Sequence, residues 1–215
     1  MGMVNKLWVL VLCLIAPTIL RADSSQQLWE RLSAIHTFRA AFLQTTLSST
    51  GDPLQSSEGE LRVGGNAKFK IETYTPYPQT LVSNGQDFWT FDPDLEQVVV
   101  SKLSLDINKV PILLFGSQDR SLLDAYRVSV YVTKDETKDE TDELQNFILE
   151  PRANDSLFKL LTLSFRNDTP VAISLQDTLA QKTHLQLTKI EINKNLDSTV
   201  FEFIIPSGID VIDER

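Results

Sequence analysis

Residues 81–98 read LVSNGQDFWTFDPDLEQV, and two turn signals cut this stretch into short apolar runs. Ser83-Asn84-Gly85-Gln86 separates Leu81-Val82 from Phe88-Trp89-Thr90-Phe91. Asn-Gly is the strongest short hairpin signal, because both residues tolerate positive φ. Asp92-Pro93-Asp94 makes the next reversal before Val98. The stretch therefore predicts strands joined by tight turns.

The same pattern extends in both directions. Phe69 and Ile71 alternate with Lys68, Lys70 and Glu72, as in a half-buried strand. Val128, Val130 and Val132 alternate with Ser129 and Tyr131. Phe147 and Leu149 follow the same rule, as do Leu161, Leu163 and Phe165, then Val171, Ile173 and Leu175, and finally Phe201, Phe203 and Ile205. Between Leu185 and Ile192 the apolar phase slips from odd to even positions, which predicts a bulge or bend. The runs predict about eleven short strands in a mainly β (α+β) chain with one antiparallel sheet. Before them, Leu28, Leu32 and Ile35 share a helical face behind the candidate caps Ser24 and Ser25. Residues 106–115, DINKVPILLF, predict a short helix starting near Pro111. Residues 133–143 double the tetrapeptide KDET, which reads as a solvated hairpin loop.

Residues 7–19, LWVLVLCLIAPTI, are too few to span a bilayer and match a signal-peptide core. The expected division is a leader over residues 1–22 and one domain over residues 23–215. With 20 Lys and Arg against 29 Asp and Glu, the full chain carries a net charge of −9. Losing Lys6 and Arg21 with the leader leaves 18 against 29, or −11. That balance argues against a nucleic-acid surface and favours a monomer. Cys13, the one cysteine, leaves too, which removes thiol and Cys-metal chemistry from the mature chain. Leu12 before Cys13 is a poor lipobox.

Little points to catalysis. His36 and His184 stand alone, and no Gly-rich phosphate loop or G-x-S-x-G occurs. The expectation is no enzyme, no catalytic residues, no metal and no cofactor. Asn154-Asp155-Ser156 and Asn167-Asp168-Thr169 fit the short glycosylation pattern and read as turns. A sheet of about eleven strands curls strongly and needs its concave face filled. Phe42, Leu61, Val63, Phe69, Ile71, Leu81, Trp89 and Phe91 are expected to point inward. The first helix and the PILLF segment make a thin plug over them. A plain core and an acyl-binding cavity both fit this pattern.

Residues 81–98 also closely resemble the LolA family of periplasmic lipoprotein carriers, and the resemblance covers nearly the whole mature chain. Phe38-Arg39-Ala40-Ala41-Phe42-Leu43-Gln44 resembles the family's F-x-x-x-F-x-Q, and Gly59-Glu60-Leu61 its G-[DE]-L strand. Residues 111–115 resemble its T-P-x-x-L-I lid segment, with Val110 in place of Thr. Residues 205–211, IPSGIDV, resemble its P-x-G-v-x-v close.

The resemblance implies an open, unclosed β-barrel under a helical lid, in the periplasm of a Gram-negative cell. It implies a chaperone for outer membrane biogenesis. Such a carrier takes triacylated lipoproteins from an inner-membrane ABC exporter to an outer-membrane acceptor, either LolB-like or the membrane itself. By the same resemblance, Leu32, Phe42, Phe69, Ile71, Leu81, Trp89, Phe91, Leu113 and Leu114 are lipid-binding cavity or lid residues. The family usually has Arg-Pro between its second and third strands, the arginine holding the lid. Gly64-Gly65-Asn66-Ala67 stands there instead, with Gly65 at the arginine's place. Arg62, three residues earlier, falls on the other sheet face. The alternatives are a LolB-like receptor, which acylation of Cys13 would support, and a divergent carrier of another lipid. A LolA-like envelope-stress sensor lacks room for its further domain, and a lipid hydrolase lacks a nucleophile signature.

Overall fold

Apolar side chains at every second position make each strand two-faced, and pairing such strands buries one face at the cost of curling the sheet. The computed structural model describes residues 23–103, 111–134 and 143–215. The expected leader with Cys13, Val110 and the centre of the KDET repeat lie outside the described residues. Helix α1 spans Ser24–Ser33. The strands are β1 Phe38–Leu47, β2 Pro53–Val63, β3 Lys68–Thr75, β4 Gln79–Asn84, β5 Asp87–Asp92, β6 Gln97–Lys102, β7 Tyr126–Lys134, β8 Glu143–Pro151, β9 Phe158–Arg166, β10 Thr169–Asp177, β11 Lys182–Ile192 and β12 Asp210–Asp213. All twelve form one curled sheet in the order β12-β6-β5-β4-β3-β2-β1-β11-β10-β9-β8-β7. Its ends, β12 and β7, do not pair, so the barrel is unclosed.

Most turns follow their residues. Gly85 takes a φ of 95° between β4 and β5. Asn84 does not share the positive φ expected of it. Its side chain instead accepts from the backbone N–H groups of Gln86 and Asp87, both at 2.9 Å. The phase slip in β11 is a bulge: Arg39 pairs with Glu191 and Ala41 with Thr188, so β11 carries one extra residue. Lys189 there has a φ of 49°. The KDET repeat is flanked by the Lys134–Glu143 pair, as a hairpin requires.

Three expectations are corrected. Asp23, not Ser24 or Ser25, caps α1, accepting from the Ser25 N–H at 3.3 Å. The Phe201-Phe203-Ile205 alternation is not a strand; Ser198–Phe201 is a 3₁₀ helix and the next residues pair with no strand. The Phe203 ring packs on the sheet's outer side, which draws that segment across the sheet rather than along an edge. The chain thus reaches β6 from outside and adds β12 in parallel, the one pairing that is not antiparallel among the described residues.

Candidate functional site

The strand registers sort the expected residues by face. Phe42 lies opposite Gly59 and Leu187, Leu61 opposite Ile71, Val63 opposite Phe69, and Ile71 opposite Leu81. These side chains share the inner face. A Cβ at Gly59 would collide with the Glu72 carbonyl oxygen and the Phe42 ring. The G-[DE]-L glycine therefore makes room for that aromatic. Leu28 and Leu32 of α1 pack into the same cluster, together with Leu113, Leu114 and Phe115 of the segment beginning with the 3₁₀ helix Pro111–Leu114. The Phe115 ring stacks on Phe38 at 5.3 Å.

Trp89 and Phe91 do not point inward. Trp89 pairs with Val82 and Val100, and Phe91 with Val98. Val82 follows the inward Leu81, so this set occupies the outer face. There Phe203 lies 6.3 Å from Trp89 and 5.7 Å from Phe91, ring centre to ring centre. Both faces of β4, β5 and β6 are apolar, and the C-terminal segment covers the outer one.

The cover on the inner face is thin. Leu28 and Leu32 together contribute about 3–6 kcal/mol by burial, a small attachment for a ten-residue helix. Arg31 adds a clamp that the sequence did not reveal. Its guanidinium donates to Gln145 Oε1 and, at 3.3 Å, to the Asn167 carbonyl, and it lies over the Phe147 and Phe165 rings. Arg31 and its partners are more than a hundred positions apart, so no local pattern joins them.

Gly65 is exposed, and a Cβ there would meet nothing within 4 Å. It borders a cavity of about 450 Å³ with Leu113, Gly116, Gln118, Asp119 and Leu122. Close backbone contact joins the cover to the sheet at this place. Gly116 has a φ of 71°, and a Cβ on it would lie 2.8 Å from the Gly64 carbonyl oxygen. Arg62 faces outward, as its alternation predicts, between Glu60 at 2.7 Å and Glu72 at 2.5 Å. Arg39 also pairs with Glu60, and Lys70 with Glu72 at 2.9 Å. Burial alone would raise the Glu72 carboxyl pKa, but the hydrogen bonds from Lys70 and Arg62 outweigh it and lower the pKa.

At the other end of the inner face the cover stops. A second cavity, of about 380 Å³, opens over Phe42, Ile71, Leu81 and Leu185. Ile71, Leu81 and Leu185 are only half-buried, so apolar surface continues out of the packed core. Neither histidine lines this second cavity: His184 hydrogen-bonds Ser174 at 2.7 Å, and the His36 ring lies 3.4 Å from the Gln118 amide. Among the described residues no helix is long and apolar enough to cross a membrane. An open apolar face beneath a thin cover can hold hydrocarbon without reacting with it.

A family model described as "Outer membrane lipoprotein carrier protein LolA" matches residues 33–204. An outer-membrane lipoprotein carrier protein of Hahella chejuensis is 38% identical over 184 residues, which cover 85% of each chain. A protein of the same name from Pseudomonas aeruginosa strain UCBPP-PA14 is 32% identical over 217 residues, which cover both chains in full. A crystal structure of an uncharacterized conserved protein from Thermus thermophilus superposes with a TM-score of 0.58 at 11% identity. The superposition covers 89% of this chain and 100% of that one, a likeness of fold alone.

Proposed function

The chain belongs to the LolA family of outer membrane lipoprotein carrier proteins, and from that membership we propose that it shuttles triacylated lipoproteins through the periplasm with their acyl chains against the inner face of the sheet. The observation that carries this reading is the apolar floor running from the packed core into the open cavity over Phe42, Ile71, Leu81 and Leu185. Each methylene kept from water is worth about 0.8 kcal/mol, so a single long acyl chain would cost roughly 10 kcal/mol to expose. Loading lifts the cover, because Leu32, Leu113 and Leu114 occupy the face that the chains need. Phe42, Phe69, Ile71 and Leu81 form the floor, while Trp89 and Phe91 support the wall from outside. The function is binding and delivery, without covalent chemistry. The partners are an inner-membrane exporter that loads the carrier and an outer-membrane acceptor that empties it.

The test adds purified protein from Asp23 onward to spheroplasts making labelled lipoproteins. The expected result is a soluble one-to-one complex with triacylated lipoprotein. No release by a folded protein, with the exporter intact, would overturn lipoprotein carriage in that system. Gly65 at the family arginine's place favours one second reading, a divergent carrier of another lipid. Native mass spectrometry of the protein isolated from the periplasm would then find that lipid bound.

A further inference from the structure

On five neighbouring strands the inner face changes from apolar to polar around one cavity. Phe42 gives way to Gln44 on β1, Ile71 to Thr73 on β3, Leu81 to Gln79 on β4, and Leu185 to Thr183 on β11. On β2 Ser57 and Gln55, paired with Gln44 and Thr46, face the same cavity. Gln44, Gln55, Ser57, Thr73 and Gln79 all line the 380 Å³ cavity. Among the described residues, none of these five side chains has a hydrogen-bond partner in the protein. Ser57 is only 4% exposed as a residue, and its side chain faces this cavity. Here the unused donors and acceptors ring an apolar floor.

We propose that this ring binds the neutral linkage of an acylated peptide, the ester and amide groups where hydrocarbon meets polypeptide. The inference rests on the carrier reading and names the part of the cargo that the rim selects. A glutamine both donates and accepts, so it can serve an ester carbonyl and a peptide N–H alike. The rim has the wrong charge for a phosphate headgroup. No Lys or Arg lines the cavity, and its one carboxylate, Asp92, is negative. Arginine and lysine are the usual partners of phosphate. The cavity thus selects against ordinary phospholipids, which share the acyl chains but carry an anionic head.

The test compares tritiated palmitate, dipalmitoyl phosphatidylglycerol and a synthetic tripalmitoyl-cysteinyl peptide, each bound to the full mature protein. The wild type is expected to bind the lipopeptide at least tenfold more tightly than the phospholipid. Replacing the glutamines by a side chain of similar length without amide groups, in the triple variant Q44M/Q55M/Q79M, is expected to lower the lipopeptide-to-palmitate affinity ratio by about 10–100-fold. The double variant Q44K/Q79K is expected to gain phosphatidylglycerol binding. Acyl binding with an unchanged ratio in the methionine variant, or equal wild-type affinity for lipopeptide and phospholipid, overturns the rim inference and leaves the carrier reading standing. A folded wild type that binds none of the three overturns both.

Discussion

The Arg31 guanidinium carbon lies 5.5 Å above the centre of the Phe147 ring, tying the last turn of α1 to a strand more than a hundred residues away. The same group lies 6.0 Å from Phe165 and donates to Gln145 and the Asn167 carbonyl. A basic residue in a last turn also complements the helix dipole. With only two buried leucines beneath α1, this clamp is a large share of what keeps the cover down.

Arg31→Met keeps an apolar stem over the rings and removes the charge and donors. The expected result is faster amide exchange across Ser24–Ser33, with a loss of about 1–3 kcal/mol in the opening free energy of that segment. The β1–β2 ladder should exchange as before. Unchanged exchange in α1 would show that Leu28 and Leu32 hold the cover by themselves.

The outer aromatic cluster is separate from the inner floor, so its loss should act on stability and not on apolar binding. Phe203→Ala uncovers Trp89 and Phe91. The expected cost is about 1–3 kcal/mol in denaturant unfolding, below the full core value because Phe203 is only half-buried. Palmitate affinity of the folded variant should stay within about twofold of the wild type. A tenfold loss would mean that the outer wall shapes the cavity after all.

Trp89 and Phe91 also show where sequence reading ends. Alternation assigns faces only when one face is polar, as on β3, where Lys68, Lys70 and Glu72 alternate with Phe69 and Ile71. On β4, β5 and β6 both faces are apolar, since Val82, Val98 and Val100 are buried on the outer side. Period alone then cannot choose. The missing signal was Phe201 and Phe203, read as one more strand when Phe203 belongs to the outer face's cover. The bulge at Lys189 was legible because a phase slip leaves a trace in a single strand. The rim was not, because Gln44, Gln55 and Gln79 keep the inward parity of Phe42, Leu61 and Leu81 but are polar, and nothing in a single strand says that they meet. Only the folding of three strands into one curled sheet brings them to a single cavity.

The outer ion-pair network gives the fold an acid limit. Lys70 and Arg62 hold the Glu72 carboxyl below the usual carboxylate range. A depressed folded-state pKa stabilises above the unfolded value, near 4.3, and is lost as pH falls through the lower folded value. Glu72→Gln should therefore lower Tm at neutral pH, and the gap from the wild type should begin to narrow near the unfolded value and close as pH falls through the lower folded value. A gap that stays constant as the pH is lowered from neutral into the acid range would assign the effect to side-chain packing rather than to charge.

Gly65 offers the inverse experiment, adding a cover contact instead of removing one. A Cβ there meets nothing within 4 Å, and the neighbouring cavity of about 450 Å³ is bordered by Leu113, Gly116 and Asp119. Gly65→Arg should fold with a stability change within about 0.5 kcal/mol, as expected for an open surface position. Its guanidinium can reach the backbone carbonyls and the Asp119 carboxylate beside the cover. It would then stand where the LolA family usually has its lid-holding arginine. A cover held at two ends opens less often, because each added contact favours the closed state by its own differential free energy. Stopped-flow measurement of palmitate uptake should therefore show slower loading, with the dissociation rate reduced as well. Loading as fast as in the wild type would mean that Arg31 alone sets the opening, and that the departure at Gly65 has no bearing on how the cover moves.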